Sequence, residues 1–444
     1  MAAKLFGTDG IRGRVGQPPM VPEIILCVGF AIARVLGQAH PHPRILIGKD
    51  PRLSGYMLEA ALQAGCLAGG ADVCLTGPLP TPAIAHLTRT LRLQACIVVS
   101  ASHNLSDDNG VKVFGPNGFK LPDDIEREIE QEAASGIRVQ TPGKAYRMED
   151  GVGRYSEYCK ATVPFSLILP PSMIIVVDCA NGAMYHVAPM LFRELGGTVI
   201  AINDTPDGRN INQGCGAVHP EVLAAAVLEH QAQVGVAFDG DGDRVMMVDG
   251  RGRIYNGDQL LYIMAADAQA KQKLIGGVVG TLMSNVALEN ALAKINVPFA
   301  RSAVGDRYVL EALRARGWQL GGEACGHIVL LDRHTTGDGL VSALQILAIM
   351  AETGLSLEKL AEPIQLFPQL TINVRGRLEL TERLGEQIAK LNRECAGRGR
   401  VFCRPSGTEP VTRVTVEHED RKTAERLVAI AATLVEKAVV EASL

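Results

Sequence analysis

Along the chain, short runs of β-branched and other apolar residues alternate with Gly/Asp/Ser-rich turns and with longer stretches whose apolar residues recur at helical spacing. Arg44–Ile47 reads as a strand ending in the turn Gly48–Lys49–Asp50–Pro51–Arg52, and a helix is expected from about Tyr56 to Leu67 with Ser54 as its cap. Ala95–Val99 is a near-continuous apolar run, as a strand buried on both faces requires. A second unit opens with a strand at Met173–Val177, turns at Asp178–Gly182, and continues as a helix near Val187–Leu195 and a strand at Thr198–Ile202. A third is expected to start at Val234–Phe238 and to run through Gly277–Gly280 and a helix at Asn285–Lys294. Strands alternating with helices predict parallel α/β sheets.

Toward the end the pattern changes. Leu370–Arg375 reads as a strand, and Thr381–Arg393 and Arg421–Lys437 as amphipathic helices flanking a strand–loop–strand around Phe402–Val416. That arrangement predicts a separate α+β domain, joined by a linker from Glu362–Pro363 to Pro368. The expected domains are 1–153, 154–253 and 254–366, all α/β, and a smaller one at 367–444. At ~150 residues per typical domain a chain of 444 residues suggests about three as a prior, and the pattern divides it into four.

Composition narrows the function classes. Hydrophobic residues at 47% and charged residues at 21% are those of a folded globular protein. With 44 basic and 48 acidic side chains the net charge is −4, which gives no positive field for sequence-blind nucleic-acid binding. One Trp and 4% aromatics argue against a base-stacking platform. The apolar stretch Val21–Leu36 is broken by Glu23 and Arg34, a poor membrane span, and the opening Met1–Ala2–Ala3–Lys4 is not that of a signal peptide. The ten cysteines include no C-x-x-C pair, so neither a zinc ribbon nor a redox motif is expected. A reduced, cytoplasmic enzyme with no nucleic-acid or membrane partner is the starting expectation. No heptad seam or apolar patch can be assigned, which leaves a homodimer open.

Four polar segments carry the chemistry, and in an open α/β sheet such clusters belong beyond the carboxyl ends of strands. Ser100–Ala101–Ser102–His103–Asn104 follows the apolar strand, with Asp108–Asn109–Gly110–Val111–Lys112 downstream. A serine there can act as a nucleophile or phosphate carrier, whereas the plain alternative is a turn that satisfies its own backbone. In Asp239–Gly240–Asp241–Gly242–Asp243–Arg244, carboxylates at alternate positions lie on one side of an extended segment, and the glycines let them converge. Three converging carboxylates repel unless a cation sits among them, and hard oxygen donors without Cys or His suit Mg²⁺. An EF-hand is excluded because Arg244 and Gly250 stand where its Gly and Glu belong. Arg404–Pro405–Ser406–Gly407–Thr408–Glu409–Pro410 offers a guanidinium, two hydroxyls and glycine-exposed N–H groups, a phosphate cradle flanked by Arg413. A hairpin turn would explain its Pro, Ser and Gly but not its arginines. Gly322–Glu323–Ala324–Cys325–Gly326–His327 places a carboxylate and an imidazole on one short turn, able to bond sugar hydroxyls, although a solvated loop is the better reading of these residues taken alone.

In this order the four segments, with the opening Phe6–Gly7–Thr8–Asp9–Gly10–Ile11–Arg12–Gly13, resemble the α-D-phosphohexomutase family over essentially the whole chain. The resemblance implies three similar α/β domains with mixed sheets and a smaller C-terminal α+β domain around a central active-site cleft. It implies an isomerase that converts glucosamine 6-phosphate to glucosamine 1-phosphate for cell-wall amino-sugar (UDP-GlcNAc) synthesis, through a hexosamine 1,6-bisphosphate that also primes the enzyme. Mutases of glucose or mannose phosphates, or a phosphosugar-binding protein without turnover, are the alternatives. Ser102 would be the phosphoserine and, with Asp239, Asp241 and Asp243, would hold one Mg²⁺. Lys112 or His103 would handle the proton, and Arg244 would help neutralise the transferring group. Glu323, Cys325 and His327 would contact the sugar, and Arg404, Ser406, Gly407, Thr408 and Arg413 its phosphate. The chain departs from the family pattern at Leu105, usually proline, and at Cys325, usually serine, a poorer hydrogen-bond partner beside the sugar.

Overall fold

The computed structural model describes residues 4–7, 9–139, 141–378, 381–395, 397–405 and 410–443. Contacts divide the chain into one unit of residues 1–283 and 297–360 and another of 284–296 and 361–444.

The larger unit contains three sheets. The first is built from β1 (Ile11–Arg14), β2 (Arg44–Lys49), β3 (Asp72–Pro78), β4 (Ala95–Val99), β5 (Asp108–Phe114) and β6 (Ala145–Arg147), in the order β1-β5-β4-β2-β3-β6. Strands β4, β2, β3 and β6 are parallel, and β5 and β1 complete the sheet antiparallel. The second holds β7 (Ile174–Asp178), β8 (Thr198–Ile202), β9 (Val234–Phe238), β10 (Val245–Asp249) and β11 (Ile254–Tyr255), in the order β11-β10-β9-β7-β8. The third holds β12 (Val278–Thr281), β13 (Phe299–Ser302), β14 (Leu320–Gly322) and β15 (Ile328–Leu330), in the order β13-β12-β14-β15. All three mix parallel and antiparallel pairs, as expected of this fold class.

Two sequence-based expectations need correction here, and a third in the smaller unit. Val234–Phe238 does not start the third unit; as β9 it pairs in parallel with β7 and sits inside the second sheet. An unbroken apolar run reports burial, not the neighbouring strand. Ser54 does not cap its helix, which spans Leu53–Ala68 with Arg52 ahead of it. The Ser54 hydroxyl instead accepts from Asn109 Nδ2 at 2.8 Å.

The helix Pro22–Ala39 is long and apolar enough to cross a membrane. Here Ile25, Val28 and Ile32 are buried with Ile45, Leu58 and Leu62 in one core. A Cβ at Gly65 would come within 2.1 Å of Leu26 O, so this helix and Leu53–Ala68 meet backbone to backbone.

The smaller unit is an antiparallel sheet of β16 (Gln369–Arg375), β17 (Gly399–Pro405) and β18 (Val411–His418), ordered β16-β18-β17. The helices Glu382–Cys395 and Arg421–Ser443 cover it, burying Leu384, Ile388, Leu391, Leu427 and Val435 with Val401, Val414 and Val416. The helix Val286–Lys294, assigned by sequence to the third unit, groups with this sheet instead. Its first N–H donates to the buried Glu417 Oε2 at 2.9 Å, and Asn285 Nδ2 donates to Phe367 O at 3.0 Å. A carboxylate at a helix N-terminus is favourable, and no local sequence signal announces one supplied from residue 417.

His334 ties segments far apart within the larger unit. Its Nε2 donates to Pro82 O at 3.0 Å, while Nδ1 accepts the N–H groups of Thr335 and Thr336 at 2.8 and 3.2 Å. These bonds require neutral imidazole, and burial, with His86 beside it, pushes the pKa down to about 3. The unfolded chain takes up this proton near an ordinary value of about 6.5, so stability is lost as pH falls below that value. At pH 5 the loss from this one group is about 2 kcal/mol. Urea unfolding at pH 7 and pH 5 should show that loss, and His334→Asn should remove it from the pH dependence.

Candidate active site

Three of the polar segments occupy the same place in three sheets. The loop 100–107 joins β4 to β5, 239–244 joins β9 to β10, and 323–327 joins β14 to β15. In each, the chain leaves the carboxyl end of a parallel strand and returns antiparallel beside it. Sheets that pair this way deliver their loops from the same kind of edge, where ligands bind in open α/β folds.

Ser102 is buried and has a left-handed backbone, φ 51°. Its Oγ donates to Asp239 Oδ2 at 2.7 Å, and its N–H donates to Ser100 Oγ at 2.9 Å. A Cβ on Gly240 would lie 2.5 Å from Ser102 O, so glycine there lets the two loops touch.

The side chains of Asp239, Asp241 and Asp243 are buried, and one carboxylate oxygen from each lies within 4.8 Å of the others. Cations arrive from all three sheets. Lys112 Nζ on β5 lies 3.0 Å from Asp241 Oδ2 and 3.6 Å from Asp243 Oδ2, Arg244 Nε lies 3.8 Å from Asp243 Oδ1, and His327 Nδ1 lies 3.6 Å from Asp243 Oδ2. Burial opposes the Lys112 charge, but Asp241, Asp9 and Asp243 raise its pKa. Against burial, Asp243 lifts His327 to about 9. Burial disfavours the Asp243 charge, yet Lys112 and His327 hold it well below the usual carboxylate range. Asp239 is pushed up to about 8 by burial and by Asp243 and Asp241. Among the described residues, Asp241 Oδ1 and Asp243 Oδ1 are buried without a hydrogen-bond partner. Such oxygens are costly unless a cation takes them. An all-oxygen donor set with unfilled buried lone pairs fits Mg²⁺.

A cleft of about 430 Å³ opens beside this cluster, lined by Asp9, Arg12, His103, Arg244, Glu323 and His327 among others. His103 is pushed down to about 4 by burial and by Arg244 and Arg12, so it is neutral at pH 7. Its buried Nδ1 has no partner among the described residues. Glu323 Oε1 accepts from Gly305 N at 3.1 Å. Cys325 is half-buried and stays a thiol, pushed up to about 11 mainly by burial.

In the other unit, Arg404 and Arg413 face each other across β17 and β18. Burial and the Arg413 charge pull the Arg404 pKa down. Like charges directly opposite on a ladder are destabilising, which an anion would relieve. Ser406, Gly407 and Thr408 lie outside the described residues.

Ser102, Lys112, His103, Arg244, the three aspartates, Glu323 and His327 therefore gather in the larger unit, and Arg404 and Arg413 pair separately in the smaller one. Sequence reasoning did not single out Thr81, whose Oγ1 donates to Asp241 Oδ2 at 2.7 Å, or Asn212, whose Nδ2 donates to Ser102 O at 2.9 Å. Neither sits in a motif. Asp9 and Arg12 lie within the opening segment 6–13, noted there only for its resemblance, and the buried Asp50 and Arg52 lie in a segment that reads as an ordinary turn.

Profiles of the phosphoglucomutase/phosphomannomutase family match almost the whole chain: α/β/α domain I at 3–139, domain II at 153–252, domain III at 256–367 and the C-terminal domain at 358–434. The phosphoglucosamine mutase of Methylobacillus flagellatus is 51% identical over 98% of this chain and 99% of its own length. A phosphoglucomutase/phosphomannomutase family protein of Burkholderia thailandensis has a similar fold, with a TM-score of 0.82 at 24% identity over 98% of both chains. The N-acetylphosphoglucosamine mutase of Aspergillus fumigatus, solved with GlcNAc-6P and magnesium, has a TM-score of 0.71 at 19% identity over 98% of this chain and 96% of that one.

Asp241→Asn removes one charge from the cluster while keeping the side-chain shape. Mg²⁺ affinity by calorimetric titration should fall by at least about tenfold; an unchanged titration would place the metal elsewhere.

Proposed function

The chain belongs to the phosphoglucomutase/phosphomannomutase family, and we propose that it interconverts glucosamine 6-phosphate and glucosamine 1-phosphate through a phosphoserine at Ser102. The observation that carries this reading is the Ser102 hydroxyl directed at Asp239, 2.7 Å away, at the edge of three buried carboxylates. The amino-sugar substrate is supported by the full-length relative named phosphoglucosamine mutase.

Mg²⁺ held by phosphoserine 102, Asp239, Asp241 and Asp243 would neutralise phosphoryl oxygens. The rest falls to the chain's own groups, because phosphoryl transfer depends mostly on positioning and charge. Glu323 and His327 orient the sugar, and Arg244 and Lys112 balance the charge of the group in flight. The anomeric hydroxyl takes the phosphoryl group from Ser102 and gives up its proton to His103, which is neutral at pH 7. Lys112, held as a cation, returns a proton to the released Ser102 oxygen. The hexosamine 1,6-bisphosphate then turns end for end, and Ser102 recovers the 6-phosphoryl group, its proton passing back to Lys112 while His103 gives its proton to the released O6. Arg404 and Arg413, with Ser406, Gly407 and Thr408, would carry the phosphate that is not being transferred. Ten free cysteines, none in a disulfide, suit a reducing cytoplasm.

A mutase assay with Mg²⁺ and a hexose bisphosphate primer, followed by phosphorus NMR, tests this reading. Glucosamine 6-phosphate should be preferred over glucose 1-phosphate and mannose 1-phosphate. Ser102→Ala should lose at least about a thousandfold in kcat with an unchanged circular-dichroism spectrum. Preference for a neutral sugar would keep the chemistry and overturn the substrate. Failure of phosphorylated protein to turn over any of the three would point to a binding protein.

A further inference from the structure

Arg52 is fully buried, although arginine is among the residues least often found so. All its guanidinium nitrogens donate. Nε reaches Asp50 Oδ2 at 2.9 Å, Nη1 reaches Asp108 O at 3.1 Å and also Leu105 O, and Nη2 reaches Ser102 O at 3.0 Å and Asn104 O at 2.8 Å. One planar group thus gathers three carbonyl oxygens of the serine loop and that of Asp108, the first residue of β5, using the donors in its fixed fork.

Its partner Asp50, also fully buried, accepts from Ser100 Oγ at 2.6 Å, and that same oxygen accepts the Ser102 N–H at 2.9 Å. The Arg52–Asp50 pair therefore holds Ser102 at both ends of its backbone, the carbonyl directly and the amide through Ser100. Ser102 is the residue with φ 51°, a conformation that a non-glycine keeps only where its surroundings over-determine it.

We propose that Arg52 is the positioning residue for phosphoryl transfer: with Asp50 and Ser100 it fixes the left-handed backbone of Ser102, and so the direction from which Oγ meets the Asp239 carboxylate. This rests on Ser102 being the phosphoryl carrier. None of the hydrogen bonds of Arg52 goes to Glu323, His327, Arg404 or Arg413, so the clamp governs the transfer step and leaves sugar affinity alone. Lysine keeps the charge but has three donors on a flexible stem, too few for five contacts in one plane.

The test compares wild type, Arg52→Lys, Ser100→Ala and Ser102→Ala for kcat, KM and the single-turnover rate of transfer from phosphorylated Ser102 to glucosamine 6-phosphate. Arg52→Lys should lower kcat and the transfer rate about 100-fold, with KM within about twofold of wild type. Ser100→Ala removes one hydroxyl and should lower kcat about tenfold, again at constant KM. It decides the matter alone should Arg52→Lys fail to fold. Wild-type transfer rates in Ser100→Ala and in any folded Arg52→Lys, or KM rising in step with the loss in kcat, would overturn the clamp. The carrier reading fails separately: Ser102→Ala turning over like wild type would sink it, and the clamp with it, whatever the other variants do.

Discussion

Everything in the larger unit is arranged around one electrostatic problem, three carboxylates brought within 4.8 Å of one another away from water. At such separations, and in the reduced dielectric of a buried site, mutual repulsion amounts to several kcal/mol per pair if nothing answers it. Two answers are built in. Asp239 is pushed toward the neutral acid, and Lys112, Arg244 and His327 bring positive charge from different sheets. What these leave over, among the described residues, is a buried oxygen on each of Asp241 and Asp243 without a hydrogen bond. A phosphoryl group on Ser102 would add further negative charge beside Asp239, and the matching addition is a divalent cation. On the proposed reading, the phosphoryl group and the metal would each be more stable when the other is present.

The way the cations reach that point explains why the chain repeats one architecture. A loop that leaves a parallel strand and returns as its antiparallel neighbour keeps both ends anchored in a buried sheet. In this chain that connection is used for the serine, for the aspartates and for the turn Glu323–His327. The aspartate loop and the turn Glu323–His327 are also joined to each other. Val245 N donates to Gly326 O at 3.0 Å, and a Cβ on Gly326 would lie 2.1 Å from Val245 O. His327 is therefore held against Asp243 by backbone as well as by charge.

Such a division between local and long-range causes decides what could be read from the sequence. Strands such as Thr198–Ile202 and the turn-bearing motifs are local, and their existence and chemistry were legible in composition and order. The convergence of three aspartates was legible because alternation and glycine are local too. Pairing was not: Val234–Phe238 reads the same whether it opens one sheet or lies inside another. Nor were Thr81, Asn212 and Arg52, since each matters through a partner dozens of residues away. The segment Gly48–Arg52 even carries a good turn signal, which hides that its three charged residues, Lys49, Asp50 and Arg52, are buried.

The two positions at which the chain departs from the family pattern bear this out. At Leu105, where proline is usual, the side chain is 57% exposed, and what the loop uses is the carbonyl oxygen that accepts from Arg52. Proline and leucine offer that oxygen equally, so the substitution leaves the frame intact. At Cys325, where serine is usual, the turn is held by backbone bonds on either side: Gly257 N to Ala324 O at 3.0 Å, and Glu323 N to His327 O at 2.9 Å. The thiol there is kept neutral, mainly by burial, and the turn's backbone bonds do not depend on it. Where backbone carries the geometry, side chains are free to vary. By the same reasoning, the positions least free to vary are those whose side chains replace backbone contacts, Arg52 and Asp50 first among them.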